Sequence, residues 1–187
     1  FLSNQEAHRW APRDIAGLEG CLMGVVGLGP IGIEVARLGR ELGMRVVGVR
    51  RNPRGDEPCE SWRLERLPEL LGQVDYLVLA LPLTPETRNL LDAQHLALLS
   101  SSACVINVGR GSLIEEPALV RALRTGALRG AALDVFATEP LPAESALWTL
   151  PNVILTPHCA GRTASNDRRA MLYFVSNLER FLRGEPL

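Results

Sequence analysis

Three charged residues each stand just past a short apolar run: Arg110 after Ala103 to Val108, Glu139 after Ala131 to Val135, and His158 after Val153 to Thr156. A guanidinium can bind a carboxylate through its planar fork, and an imidazole can donate or accept a proton at a neighbouring oxygen. A carboxylate beside that imidazole would orient it and stabilise its protonated form. If the three runs are strands of one parallel sheet, all three side chains converge on one edge of it. Ligands of open α/β sheets bind at that edge, outside the carboxyl ends of the strands.

A second group of residues fits the binding of a dinucleotide. Gly27-Leu28-Gly29-Pro30-Ile31-Gly32 follows the first apolar run directly and opens a helix-like segment, the context in which a GxGxxG pattern becomes specific. Gly27 permits the tight turn, Gly29 leaves room for a pyrophosphate, and Gly32 allows close packing of helix on strand. Free amides at the helix start attract the anion, and Pro30 costs no needed donor there. Without such flanks the same pattern is as readily a glycine-rich turn with no ligand. The second apolar run ends in Arg50 and Arg51, where an acidic residue would bind the ribose hydroxyls of NAD. Guanidinium groups there favour a 2′-phosphate. The expected cofactor is therefore NADP(H), with NAD(H) the second candidate; solvation of the arginines, or stacking on adenine, is their other use.

Around these residues apolar runs and helix-like segments alternate, the pattern of a parallel sheet with crossover helices. The expected strands are Cys21 to Val26, Arg45 to Val49, Tyr76 to Leu81, Ala103 to Val108, Ala131 to Val135 and Val153 to Thr156. Amphipathic spacing predicts helices over Ile31 to Leu42, Ser61 to Leu71, Asp92 to Leu99, Glu116 to Thr125 and Ala164 to Leu182. The expected fold is α/β: one doubly wound parallel sheet of six strands, a Rossmann fold. Near-continuous hydrophobicity in the strands predicts helices on both faces. Residues 1–14, with Trp10 and Pro12, read as a connecting segment, and 15–187 as one nucleotide-binding domain. Asn52 to Pro58, with Pro53 and Gly55, reads as a loop.

The 187 residues are 47% hydrophobic and 22% charged, enough for a core without staples. A formal net charge of -1 with scattered Lys and Arg argues against nucleic-acid and membrane partners. No apolar stretch approaches the roughly 20 residues of a membrane span and no signal sequence opens the chain, so the cytoplasm is the expected compartment. Cys21, Cys59, Cys104 and Cys159 form no CxxC pair and are read as reduced, and no metal site is expected. Cys159 beside His158 invites a Cys-His nucleophile, but adjacent side chains usually point apart and no acyl-transfer site accompanies them.

Val105 to Gly111, Asp134 to Pro140 and Thr156 to Gly161 occur in that order, each after an expected strand. With Leu81-Pro82-Leu83-Thr84-Pro85-Glu86-Thr87 and the closing Asn177 to Gly184, they closely resemble the D-isomer-specific 2-hydroxyacid dehydrogenases. That family includes D-lactate, phosphoglycerate, glycerate and glyoxylate/hydroxypyruvate enzymes. The resemblance runs from about Trp10 to the end of the chain. It implies hydride transfer between NAD(P)H and a small 2-keto or D-2-hydroxy acid, with Arg110 on the substrate carboxylate, His158 as acid and base, and Glu139 orienting His158. It implies cofactor contacts at Gly27, Gly29, Pro30, Ile31, Gly32, Arg50, Arg51, Leu81, Pro82, Thr87, Val108, Gly109 and Asp134, the last toward the nicotinamide carboxamide. Each has an ordinary structural use as well: Arg110 could cap a strand-end loop, Glu139 could be surface charge, and Asp134 could hold a strand end.

The family also implies a second, substrate-binding domain, largely absent from this sequence, and a homodimer. A chain that opens on Phe1 rather than Met is expected to be an excised piece of something longer. The arginines after the second run resemble those of the glyoxylate/hydroxypyruvate reductase branch. The rival expectation is a dinucleotide-sensing interaction module, because the C-terminal-binding corepressors resemble the same family and keep a similar triad.

Overall fold

The computed structural model describes residues 2–12 and 14–187, the side chains of Leu2 and Ser3 excepted. Phe1 and Arg13, both in the expected connecting segment, lie outside the described residues. Seven strands form one all-parallel sheet: β1 Leu22–Val26, β2 Arg45–Val49, β3 Glu60–Trp62, β4 Tyr76–Leu79, β5 Cys104–Asn107, β6 Gly130–Leu133 and β7 Val153–Leu155. Their order, β3-β2-β1-β4-β5-β6-β7, is doubly wound. The chain runs outward from β1 to β3, then restarts at β4 on the other side of β1. The crevice between the ends of β1 and β4 is thus the topological switch point. The helices are α1 Leu2–Glu6, α2 Pro30–Glu41, α3 Leu67–Leu71, α4 Ala93–Leu98, α5 Glu116–Arg124 and α6 Asn166–Leu182.

All five residues of β1 are buried, as a central strand covered on both faces requires. Alternate residues feed two cores. Leu22, Val26, Val47, Val49, Leu77 and Leu79 pack on one face with Leu70 of α3, Leu96 of α4 and Leu119 of α5. Met23, Val25, Val46 and Val78 pack on the other with Ala36 of α2. Burying a Leu or Val side chain contributes about 1.5–3 kcal/mol, so these rows fix the strand register on which the site depends.

Three sequence expectations are corrected. The sheet has seven strands, not six, because Glu60–Trp62 pairs with Val47–Val49 as a short edge strand. The helix predicted over Ser61 to Leu71 therefore begins late: a 3-10 turn spans Leu64–Arg66 and α3 starts at Leu67. Pro68 explains this, since proline fits the first turn of a helix and breaks one that tries to run through it. The expectation of helices over both faces holds around β1 and β4 but not at β7, where Ile154 is exposed. α6, predicted correctly as a helix, buries none of its residues. Among the described residues no helix is long and apolar enough to cross a membrane, and all four cysteines are free thiols.

Candidate functional site

The turn after β1 gives its three glycines three different reasons. Gly27 has φ +101°, and a Cβ there would lie 2.7 Å from the Leu81 Cβ and 2.8 Å from the Ala80 carbonyl carbon. A Cβ at Gly32 would drive into the Gly27 carbonyl oxygen, so this helix can sit so close to the turn only with glycine. At Gly29 a Cβ would meet nothing within 4 Å, which leaves the backbone open to a ligand. Gly29 caps α2 without a side-chain hydrogen bond and Pro30 opens the helix. The first-turn amides lack intrahelical acceptors and carry the positive end of the helix dipole. Pyrophosphate fits such a cradle.

Beside this turn, Leu81 is buried against Gly27, while Pro82 is exposed. The Thr87 hydroxyl accepts the Thr84 amide at 2.7 Å and donates to the Pro82 carbonyl at 2.9 Å, so its oxygen is engaged in folding its own loop. Arg50 leaves the end of β2 and pairs with Glu57 at 3.0 Å, whereas Arg51 is exposed. Glu86, in the loop after β4, is held below the usual carboxylate range first by the Thr84 hydroxyl, and also by the charge of Arg51.

At the other end of the cleft the Nδ1 of His158 lies 2.7 Å from a carboxylate oxygen of Glu139. The second Glu139 oxygen accepts the Phe136 amide at 3.0 Å. The His158 side chain, the Phe136 amide and the charge of Arg110 hold the Glu139 carboxyl below its usual range against partial burial. His158 itself has φ +49°, a left-handed conformation unusual for a residue with a side chain. It is held there by its amide, which donates to the Asp134 carbonyl at 2.8 Å. Arg110 donates to the Gly109 carbonyl at 2.7 Å and is otherwise exposed.

Two residues hold the loops that carry these groups. Asp134 accepts the Thr156 hydroxyl at 2.6 Å, the Cys159 amide at 2.8 Å and the Ala160 amide at 3.0 Å. Burial pushes its carboxyl up, but these donors, with the charge of His158, outweigh it and leave the group below its ordinary range. The strand-end role of Asp134 is therefore visible, and its Oδ2 keeps capacity for another donor. Asn107, 1% exposed, accepts the Gly109 amide at 3.0 Å and donates to the Arg110 carbonyl at 2.9 Å, which fixes the Arg110 turn from beneath. The sequence reading gave Asn107 and Thr156 no role, although both lie inside quoted motifs. A polar residue at the end of an otherwise apolar run was the available signal at Asn107.

Ile31, Val108, Arg110, Asp134, Glu139 and His158 line one cleft of about 760 Å³, together with Arg162. The structure thus gathers the three charged strand-end residues with the start of α2, while Arg50, Arg51, Pro82 and Thr87 lie outside this lining. A second depression of about 680 Å³, lined by Phe136, Pro140, Leu141, Trp148 and Leu155, meets the first at Glu139 and His158. With Nδ1 engaged, the free Nε2 of His158 is the nitrogen that can exchange a proton with a ligand.

The model of the D-isomer specific 2-hydroxyacid dehydrogenase NAD-binding domain matches residues 1–160. The chain belongs to that family. Within it, the glyoxylate reductase of Aeropyrum pernix is 38% identical over 179 residues, covering 94% of this chain and 53% of the relative. Two solved family structures superpose on the chain. A D-isomer specific 2-hydroxyacid dehydrogenase from Xanthobacter autotrophicus, in complex with NADPH, has 40% identity and a TM-score of 0.88, covering 100% of this chain and 76% of its own. The NADPH-dependent glyoxylate/hydroxypyruvate reductase of Sinorhizobium meliloti, in complex with NADP and sulfate, has 37% identity and a TM-score of 0.87, covering 100% and 60%. As a dehydrogenase-family NAD-binding domain, the chain spans about half the length of curated relatives such as the first of these.

Proposed function

We propose that this NAD-binding domain carries the catalytic groups of an oxidoreductase that reduces a small 2-keto acid to a D-2-hydroxy acid with NADPH in preference to NADH. One observation carries the reading: His158 is hydrogen-bonded to Glu139 in the same cleft as Arg110, at the open end of a dinucleotide turn. The Gly27 to Gly32 turn would hold the pyrophosphate, Ile31 and Val108 would flank the nicotinamide, and Asp134 would take its carboxamide. Leu81, Pro82, Thr87 and Gly109 would line the path between the two ends. Bound there, the nicotinamide supplies the hydride for reduction and accepts it in oxidation.

The protein's own groups do the rest. Arg110 would pair with a carboxylate and polarise the adjacent keto group, a role supported by its place in the lining of the cleft and by the planar fork of its guanidinium. His158 donates a proton from Nε2 to the carbonyl oxygen during reduction and takes it back during oxidation. Glu139 is a positioning residue: it fixes the tautomer at Nδ1, and its ionised state stabilises the imidazolium. Glyoxylate or hydroxypyruvate is the proposed substrate class, supported by the names of the Aeropyrum and Sinorhizobium relatives. These relatives are reductases, which favours an enzyme over a dinucleotide-sensing module.

The same proposal includes a second domain completing the substrate pocket, and assembly as a homodimer. The exposed apolar stripe of α6 and the apolar depression beside His158 support the existence of a covering partner. Calorimetric titration of the chain with NADPH and NADH tests the cofactor assignment: saturable binding, tighter for NADPH, is expected, and failure to bind either would sink it. In the protein assayed with its second domain, His158→Asn should lower kcat by about 10²–10⁴-fold. Reduction should also fade as pH rises, as expected of a step that needs a proton donor, and a flat profile in both directions with chemistry rate-limiting would remove His158 from the role.

A further inference from the structure

The loop after β2, where the proposed cofactor would place its adenosine, holds a carboxylate that the proposed chemistry does not use. Glu57 lies in the loop between β2 and β3, and its side chain is only 1% exposed. Four donors converge on it. Oε1 accepts the Arg54 amide at 2.8 Å and the Arg50 guanidinium at 3.0 Å. Oε2 accepts the Gly55 amide at 2.8 Å and the Ser61 hydroxyl at 3.1 Å. The backbone amides, led by that of Arg54, hold the carboxyl at about 2 despite burial, so it is ionised throughout the physiological range.

Two successive loop amides, a hydroxyl and a guanidinium are the donor set with which proteins hold an anion. Here the protein's own carboxylate fills that cradle. The consequence concerns Arg50, whose position after β2 marked it from sequence as a reader of the 2′-phosphate. Its charge is already matched by a hidden partner, and its side chain is itself only 18% exposed. Its neighbour Arg51 is exposed, and its charge is felt by Glu86 in the loop after β4, on the far side of the crevice.

Resting on the NADP(H) reading above, we propose that Glu57 is a charge-setting residue for cofactor selection: it neutralises Arg50, which leaves Arg51 to read the 2′-phosphate. Arg50 is then a structural strut of that loop. Its removal would strand a buried carboxylate and weaken both cofactors alike, since an ion that loses its partner in a desolvated site destabilises the fold around it.

The test is the pair of dissociation constants for NADPH and NADH, measured on the chain at fixed salt for wild type, Arg50→Gln, Arg51→Gln and Glu57→Gln. Arg51→Gln should lose roughly tenfold or more in NADPH affinity with NADH unchanged, as expected for one charge-assisted contact. Glu57→Gln should uncover the charge of Arg50 and raise the ratio of NADPH to NADH affinity. A purely structural Glu57 would instead weaken both cofactors in proportion and leave the ratio where it was, which would overturn the charge-setting role. The comparison of the two arginine variants stands even if Glu57→Gln folds poorly. If Arg50→Gln abolishes NADPH preference and Arg51→Gln keeps it, the inference is wrong and the NADP(H) reading survives. If wild type shows no NADPH preference and neither arginine variant changes the ratio, the NADP(H) reading itself fails.

Discussion

Two halves of one sheet face differ sharply. On the face that α2 covers, Val78, Ile106, Ala132 and Ile154 are paired in register across β4, β5, β6 and β7. Val78 is 3% exposed, Ile106 and Ala132 are partly exposed, and Ile154 is 69% exposed. The cover fails progressively along a single row. The helices differ in the same way: α2 buries Gly32, Ala36 and Gly39, whereas α6, although longer, buries nothing and leaves Phe174, Leu178 and Phe181 in the open. Both carry apolar residues at helical spacing. Such spacing states that a helix has a face to bury, and it does not say that the next strand of the same sheet will receive it. The groups proposed for chemistry lie along that gradient: Arg110 follows β5, Glu139 follows β6 and His158 follows the uncovered β7.

Stability measurements can break this contrast, and the largest effect is expected on the packed side. Leu77→Ala, at a fully buried site, should cost about 2–5 kcal/mol in urea unfolding. Ile154→Ala should stay within about 0.5 kcal/mol of wild type, and similar losses at the two sites would show the exposed edge to be covered after all. Asp134→Asn comes next. An amide cannot accept everything the carboxylate accepts from Thr156, Cys159 and Ala160, so a loss of about 1–3 kcal/mol is expected from the same experiment.

Acid should distinguish the ends of the cleft more finely. Glu57 has its carboxyl lowered from 4.5 to about 2, so its contribution to stability is complete above the unfolded value and is lost as pH falls through that interval. Unfolding midpoints followed through that range should therefore slope less steeply in Glu57→Gln than in wild type, and parallel curves would count against a charged Glu57 in the folded loop. Asp134 and Glu139, also lowered, add to the slope in both proteins with the same sign. The smallest effect belongs to α6: Leu178→Asn should change stability by no more than about 0.5 kcal/mol, and a drop well beyond that in the chain by itself would reveal a packed partner for the helix.

The central architecture was legible because it is written in long, unambiguous signals. Runs such as Leu22 to Val26 and the spacing of α2 and α5 admit few alternatives, and the glycine turn sits where strand and helix must meet. The edge was less legible. Glu60-Ser61-Trp62 is too short and too polar to stand out as a strand, and it becomes one only because β2 offers an open edge. At the site, the three charged residues could be picked out by their positions after apolar runs. Asn107 offered only its polarity at the end of an apolar run, its bonds being local, whereas Thr156 and Glu57 could not be picked out, because their roles rest on hydrogen bonds that form only once the chain has folded. Glu57 sits in a stretch that reads only as a loop, and nothing local distinguishes it from its neighbour Asp56.

The Asp134 carboxylate ties the segment after β7 to the end of β6 through a hydroxyl and two amides. The Cys159 and Ala160 amides should therefore exchange their hydrogens with solvent slowly for groups in an irregular surface segment, on the timescale of an opening that must break several bonds at once. The turn bearing His158 is then already ordered before any ligand arrives. The conformational entropy of arranging it is settled during folding and is not subtracted from the affinity of whatever binds there.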